Sequence, residues 1–189
     1  MMNNSRTTHS FRVHTLDLTL AALVLLLVLV APAVAESGND NRAPDLGDCQ
    51  DLEVPEGNKV AHHLYAEGVQ IYRWNGTSWI FVAPEAVLFA NAGANGTVGI
   101  HYAGPTWESN SGSKVVAAVL ERCTPDPDAI PWLLLEAVST EGPGIFARVT
   151  FIQRVNTVGG NAPTDAGDFV GEVVEVPYTA EYYFYRAHD

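Results

Sequence analysis

The sequence predicts an all-β fold: a single-domain antiparallel β-sandwich, with a closed β-barrel as the alternative architecture. From Lys59 onward, short apolar runs are separated by Gly, Pro and Asn, and no segment keeps a helical period long enough for a stable helix. Two Asn-Gly dipeptides, at 75–76 and 95–96, lie between runs rich in β-branched and aromatic residues, which is typical of β-hairpins. No internal repeat is visible, which argues against a propeller or a solenoid.

The chain begins with the pattern of a secretory signal peptide, residues 1–35. Arg6 and Arg12 precede an unbroken apolar run over 20–31, and residues 33–35 form a small-x-small cleavage site. This run is shorter than the roughly 20 apolar residues that a membrane span needs. The sequence therefore predicts a secreted protein, extracellular or periplasmic, that starts at Glu36 and is not inserted in a membrane.

A polar segment rich in Pro and Gly follows over residues 36–56, and we expect a flexible N-terminal arm there, before an all-β domain over 57–189. The chain has two cysteines, Cys49 and Cys123. An even pair in an exported protein predicts a disulfide, which would tie the arm to the domain. A catalytic thiol is less favoured, because no base adjoins either cysteine.

The first Asn-Gly dipeptide is expected to join strands 68–74 and 77–82 through a two-residue turn, which would place Tyr72 opposite Trp79. Pro177 is expected to end a strand, because it cannot donate to a ladder. The remaining predicted strands are 87–90, 97–102, 114–120, 132–139, 145–155, 169–176 and 180–186.

The formal net charge of −12 argues against nucleic acid and anionic membrane surfaces as partners. Solubility outside the cell explains the acidity without a partner. The sequence leaves the oligomeric state open.

The stretch from His101 to Glu108 is the densest in residues that commonly bind ligands, and it surrounds a Gly-Pro turn at the end of a predicted strand. As a sugar site, Trp107 or Tyr102 would offer an apolar face, and His101 or Glu108 would supply hydrogen bonds. The alternative is that His101 and Trp107 complete the core. Further candidate ligand-binding residues are Glu85, Trp132, Arg154 and Tyr183.

Alternation assigns faces on two of the predicted strands. Arg154 should share a face with Ile152, and Gln153 should lie on the other face. A buried Arg154 paired with a carboxylate is more often structural than catalytic. Along 182–185, Tyr183 should share a face with Tyr185, opposite Tyr182 and Phe184. One face of this last strand is expected to fill the core and the other to be available to a ligand.

Copper or zinc is the alternative ligand, through His101, His62 and His63, with Glu85 or Glu108 as an oxygen donor. The chain has no His-x-His or HExxH motif, and adjacent His62 and His63 would point to opposite faces of a strand.

No nucleophile elbow, phosphate loop or dinucleotide motif is present, and no catalytic residue or required cofactor is assigned. The preferred prediction is non-catalytic binding of a carbohydrate or another small extracellular or envelope ligand. A metal-binding role and a structural role in a surface assembly are the alternatives.

Several blocks spread over 54–186 resemble the domain of unknown function 3455 family. They are 68–72, 84–86, 101–107, 112–115, 130–134, 152–160 and 176–185. The resemblance implies a secreted bacterial or fungal protein of a family with no established activity. Many members carry one Cys near the position of Trp74 and another after the position of Gly160. This chain has Cys49 and Cys123 instead, so its disulfide is expected at a different place.

Overall fold

The computed structural model describes residues 42–188, which form eight strands and one turn of 3-10 helix, Gln50–Leu52. The all-β prediction is confirmed. The strands are β1 (Asn58–Trp74), β2 (Trp79–Phe89), β3 (Thr97–Tyr102), β4 (Thr106–Ser109), β5 (Lys114–Cys123), β6 (Trp132–Glu141), β7 (Phe151–Gly159) and β8 (Val173–Ala187).

The eight strands form one continuous antiparallel ladder that closes on itself. Each strand pairs with the next along the chain, and β1 pairs with β8 from Asn58↔Ala187 to Arg73↔Val173. Of the two predicted architectures, the hydrogen bonding is that of the closed barrel rather than the preferred sandwich. A sandwich and a barrel would have the same strands and the same alternation of side chains along them. The pairing of β1 with β8 is what distinguishes the two.

Several strands differ from the prediction: 77–82 and 87–90 merge into the single strand β2, 169–176 and 180–186 merge into β8, β1 begins ten residues earlier than predicted, and β4 was not predicted. β8 continues through Pro177 instead of ending there. Pro177 pairs with Val69 of β1, while β7 has already ended at Gly159, opposite Tyr178. Pro177 therefore occupies an edge position, where the missing N–H is tolerated. β7 begins at Phe151, because residues 145–148 form a turn and 149–150 do not extend the strand.

The predicted two-residue turn in the first hairpin is wrong. Trp74 pairs with Trp79, so the loop contains four residues, 75–78. The side-chain Oδ1 of Asn75 accepts hydrogen bonds from the backbone N–H groups of Thr77 and Ser78, both at 2.8 Å. This capping stabilises the longer loop and moves the register by two residues, so that Tyr72 faces Phe81 instead of Trp79.

Apolar side chains fill the barrel interior at the end where β6 connects to β7, which we call the plugged end. Phe146, from that connection, is fully buried and packs against Phe184, with ring centroids 4.8 Å apart. Ile152 and Tyr182 face the same interior. Other buried residues of this interior cluster are Leu64, Leu88, Val115, Ala117 and Val149.

A second apolar layer lies outside the barrel, between the strands and the N-terminal arm. Leu46, Cys49 and Leu52 of the arm are buried in it together with Tyr183 and Tyr185 of β8. Gln153 Nε2 also donates to the Leu52 carbonyl at 2.6 Å. The described part of the predicted arm, 42–56, is thus attached to the barrel.

The predicted disulfide between Cys49 and Cys123 is formed. The signal peptide and residues 36–41 lie outside the described residues. Within 42–188, no helix combines the length and the apolar character needed to cross a bilayer.

If the arm is part of the folded domain, Leu52→Ala should lower the free energy of unfolding by about 2–5 kcal/mol, because it leaves a cavity under a fully buried side chain. Urea denaturation measures this difference. The matched control is Leu120→Ala, which truncates a leucine that is 46% exposed and should cost far less. Equal effects of the two substitutions would contradict the packing of the arm.

Candidate functional site

The interior at the other end of the barrel is not filled by side chains. It encloses a cavity of about 490 Å³, to which all eight strands contribute. We call this the hairpin end, because the β1–β2, β3–β4 and β5–β6 connections lie there. Most of the cavity wall is apolar, and its volume falls within the roughly 300–1,000 Å³ of small-molecule sites. Its apolar lining includes Phe81, Val82, Pro84, Val119, Ile130, Leu133 and Leu135.

Arg154 places a buried positive charge on this cavity. It lies on β7 between Leu133 of β6 and Tyr182 of β8, and it is 9% exposed. Its Nε and Nη2 atoms donate to the carbonyl of Pro131, at 3.1 and 2.7 Å. Within 42–188, no carboxylate lies at ion-pair distance from Arg154. The guanidinium is held by a neutral carbonyl, and not by the carboxylate considered at the sequence level.

Three buried side chains that line the cavity carry polar atoms without a hydrogen-bond partner in the described part of the chain. They are Gln70 with Nε2, Trp107 with Nε1 and Tyr182 with its hydroxyl. Burial raises the pKa of Tyr182, and the charge of Arg154 partly opposes this effect. Buried polar groups are normally paired, so these atoms indicate a place where a ligand or water completes the hydrogen bonding.

Tyr178 adds a fourth buried polar group, a hydroxyl without a partner among the described residues. Burial raises the pKa of Tyr178, and the neighbouring Tyr182 raises it further. The phenols of Tyr178 and Tyr182 both therefore keep their protons at physiological pH. Tyr72 differs from them, because its hydroxyl donates to the carbonyl of Gly160 at 2.7 Å.

His101 is a neutral member of the cavity wall. Its ring stacks on Trp107, with centroids 4.3 Å apart, and meets the edge of Tyr182. Nδ1 lies 2.8 Å from the Thr106 carbonyl. The pKa of His101 is lowered to about 3, chiefly by burial and in smaller part by the charge of Arg154, while the hydrogen bond to Thr106 opposes the shift. A carbonyl only accepts, so Nδ1 carries the proton and Nε2 is left as an acceptor.

The stretch 101–108 is divided between the two faces of the barrel. His101 and Trp107 face the interior, whereas Tyr102 and Glu108 lie outside, where the Tyr102 hydroxyl donates to Glu108 at 2.7 Å. Lys114 lies 3.7 Å from the same carboxylate. Trp107 is only 1% exposed and is covered by His101, so it offers no open face for a sugar ring.

The other predicted ligand-binding residues lie away from the cavity. Glu85 is exposed on β2. Trp132 and Tyr183 belong to the outer layer beneath the arm, where the Tyr183 ring stacks on His63 with centroids 4.0 Å apart. The structure thus brings His101, Trp107 and Arg154 together and leaves Glu85, Trp132 and Tyr183, like Tyr102 and Glu108, elsewhere.

The three histidines proposed as metal ligands do not converge. His101 lines the cavity, and His63 lies on the outer face with Nε2 2.7 Å from Glu181. His62 borders a smaller recess at the plugged end, where burial and the charge of Arg186 lower its pKa. Residues 42–188 contain no group of three or more His, Cys, Asp or Glu that could hold a metal ion. The adjacent His62 and His63 diverge because successive strand residues face opposite sides.

Sequence reasoning missed Gln70, Tyr182 and the Ile130–Pro131 segment as parts of the site. A signal for Gln70 was present, because it alternates with Gly68 and Tyr72 on β1 and is the amide in an otherwise inward-facing set. A buried polar residue is more informative than a buried apolar one. No local sequence pattern identifies Ile130 and Pro131 as cavity residues, because their position depends on the path of the β5–β6 connection.

The model of the family described as protein of unknown function, DUF3455, matches residues 55–186. The chain therefore belongs to this family, as the resemblance of its sequence blocks predicted. No curated protein matches the chain, and neither does any solved structure.

The lowered pKa of His101 predicts a pH-dependent contribution to stability. Between pH 3 and its ordinary value of 6.5, the unfolded chain binds a proton that the folded chain excludes. The free energy of unfolding should therefore rise with pH in this window, by about 1.4 kcal/mol per pH unit from this residue. His101→Gln removes the titration while its amide can still donate to Thr106.

Urea denaturation of both proteins between pH 4 and 8 tests this prediction. The advantage of the wild type over His101→Gln should grow from pH 4 to pH 6 and become constant above pH 7. Other groups titrate equally in the two proteins and cancel in the difference. Parallel stability curves over the whole range would show that His101 is not held neutral by burial.

Proposed function

We propose that this member of the DUF3455 family binds one small ligand, without catalysis, inside the hairpin end of its barrel. The observation that carries the proposal is the 490 Å³ cavity whose buried lining residues Gln70, Trp107 and Tyr182 leave polar atoms without partners. An apolar cavity with a few convergent polar groups is the usual composition of a small-molecule site.

The barrel geometry supports a ligand of limited size. An eight-stranded barrel has an interior that side chains can just fill, or that can hold one small ligand. Here the plugged end is filled around Phe146, while small residues border the cavity at the hairpin end, among them Ala103 and Gly104. A cavity closed at one end suits a compact molecule better than a long polysaccharide chain.

The chemistry of the lining favours binding over catalysis. It includes no carboxylate, thiol or lysine among the described residues. His101 has a pKa of about 3, far from the range in which a histidine exchanges protons efficiently at neutral pH. The disulfide between Cys49 and Cys123 agrees with an oxidising compartment, and we propose that binding takes place outside the cytoplasm.

Filling the cavity should abolish binding. Val119 is half-buried in the cavity wall, and Val119→Trp would place an indole in the space that a ligand needs. The probe is N-phenyl-1-naphthylamine, an uncharged dye that becomes fluorescent in apolar surroundings. We expect saturable binding to the wild type and a dissociation constant at least about tenfold higher for Val119→Trp.

Val138→Trp is the matched control, because Val138 is 68% exposed on β6 and is not part of the cavity. Its dye binding should equal that of the wild type, and circular dichroism should show that both variants keep their β structure. Dye binding that is absent from the wild type, or that Val119→Trp leaves unchanged, would contradict a ligand site in the barrel.

A further inference from the structure

We infer that the ligand of this cavity is a carboxylate with an apolar body, and that Arg154 is its counter-ion. The inference rests on the proposed function, because it names the class of ligand for the same cavity. Three observations carry it. Arg154 has no carboxylate partner within 42–188, the cavity lining contains arginines but neither Asp nor Glu, and most of the polar atoms without partners are hydrogen-bond donors.

The guanidinium of Arg154 has its charge and much of its donor capacity available. Arginine has five N–H donors, and hydrogen bonds from Nε and Nη2 to the Pro131 carbonyl use two of them. The terminal edge formed by Nη1 and Nη2 keeps further donors and meets no carboxylate within residues 42–188, and the Tyr182 hydroxyl is the neutral group that approaches the guanidinium. This edge is the fork that binds a carboxylate in a bidentate manner. The Pro131 contact holds the guanidinium in one orientation.

The charge of the cavity wall is opposite to that of the chain. The chain has 22 acidic and 10 basic residues, yet the lining contains Arg122 and Arg154 and neither Asp nor Glu. Burying a charge without a partner is costly, and proteins usually avoid it by pairing. An anion in the cavity would provide the pairing that the protein itself omits.

The polar atoms without partners are mostly donors. The indole N–H of Trp107 and the amide nitrogen of Gln70 can only donate, and the Tyr182 hydroxyl can donate. A matching ligand must therefore offer acceptors, and a carboxylate offers two oxygens with several lone pairs. His101 Nε2 is the acceptor in the wall, suited to a single hydroxyl on the ligand.

The rest of the wall specifies the body of the ligand. Phe81, Leu133 and Leu135 line the same cavity with apolar surface, and Leu133 is the direct strand neighbour of Arg154. Small anions with little or no apolar surface, such as phosphate or acetate, would leave most of this surface in contact with water. The geometry therefore selects an organic acid with an apolar chain or ring system.

Matched pairs of compounds test the charge requirement in the disulfide-bonded mature chain. The pairs are 2-naphthoate with 2-naphthamide and decanoate with 1-decanol, titrated by calorimetry at pH 7.5. We expect each carboxylate to bind the wild type about 10–100-fold more tightly than its neutral partner, the range of a charge-assisted hydrogen bond to a buried site. This preference is measured in the wild type and does not depend on any variant folding.

Arg154→Gln should weaken carboxylate binding by about 10–100-fold and change the affinity for the neutral partners by less than about twofold. Arg154→Lys keeps the charge without the fork and should retain part of the preference for the carboxylate. Arg73→Gln is the matched control, because Arg73 is exposed on β1 and is not part of the cavity lining. It makes the same change in net charge and should leave all four affinities unchanged.

The outcomes separate this inference from the proposed function. Neutral compounds and dye that bind in the cavity, with no preference for the carboxylates or no effect of Arg154→Gln, would overturn the inference and leave the binding function in place. Absence of binding by the dye and by all four compounds would overturn both.

Discussion

The pairing of β1 with β8 is the constraint on which the rest of the structure depends. These are the two longest strands, and they remain paired from Asn58↔Ala187 to Arg73↔Val173. Closure leaves no sheet edge along this seam and gives every strand an interior and an exterior face. Because side chains alternate along a strand, closure also decides which residues meet inside. His101, Arg154 and Tyr182 share one cavity only because their strands belong to the same ring.

Much of the fold could be predicted from the sequence, because alternation is a local property of extended chains. It correctly grouped Arg154 with Ile152 and Tyr182 with Phe184, apart from Gln153 and Tyr183, but it did not specify which group faces the interior. The disulfide followed from the number of cysteines. The hairpin register did not follow, because the Asn75 side chain caps a four-residue loop. The dipeptide pattern does not distinguish this loop from a two-residue turn.

The site was only partly predictable, because it is a product of closure. The cluster at 101–108 was read as one surface, although alternation already separates His101 and Trp107 from Tyr102 and Glu108. His62 and His63 cannot both meet His101, because adjacent strand residues lie on opposite faces of the closed sheet. Gln70 and Tyr182 reach the cavity from opposite ends of the sequence, and no local pattern predicts that meeting. The choice between a sandwich and a barrel depended on the same long-range pairing.

β7 connects the cavity to the outer layer, because its consecutive side chains point alternately into the barrel and out toward the arm. Gln153 donates to the Leu52 carbonyl in the arm and accepts from the Tyr185 hydroxyl, while Arg154 faces the cavity. The arm, held by the Cys49–Cys123 disulfide, therefore fixes the strand that carries the buried charge. A cation without a partner benefits from a rigid support, because a mobile strand would let the guanidinium move to water. The disulfide and the packing of the arm outside the barrel thus hold β7 in place, and β7 in turn holds Arg154 in one orientation inside the barrel, which preorganises its charge for binding.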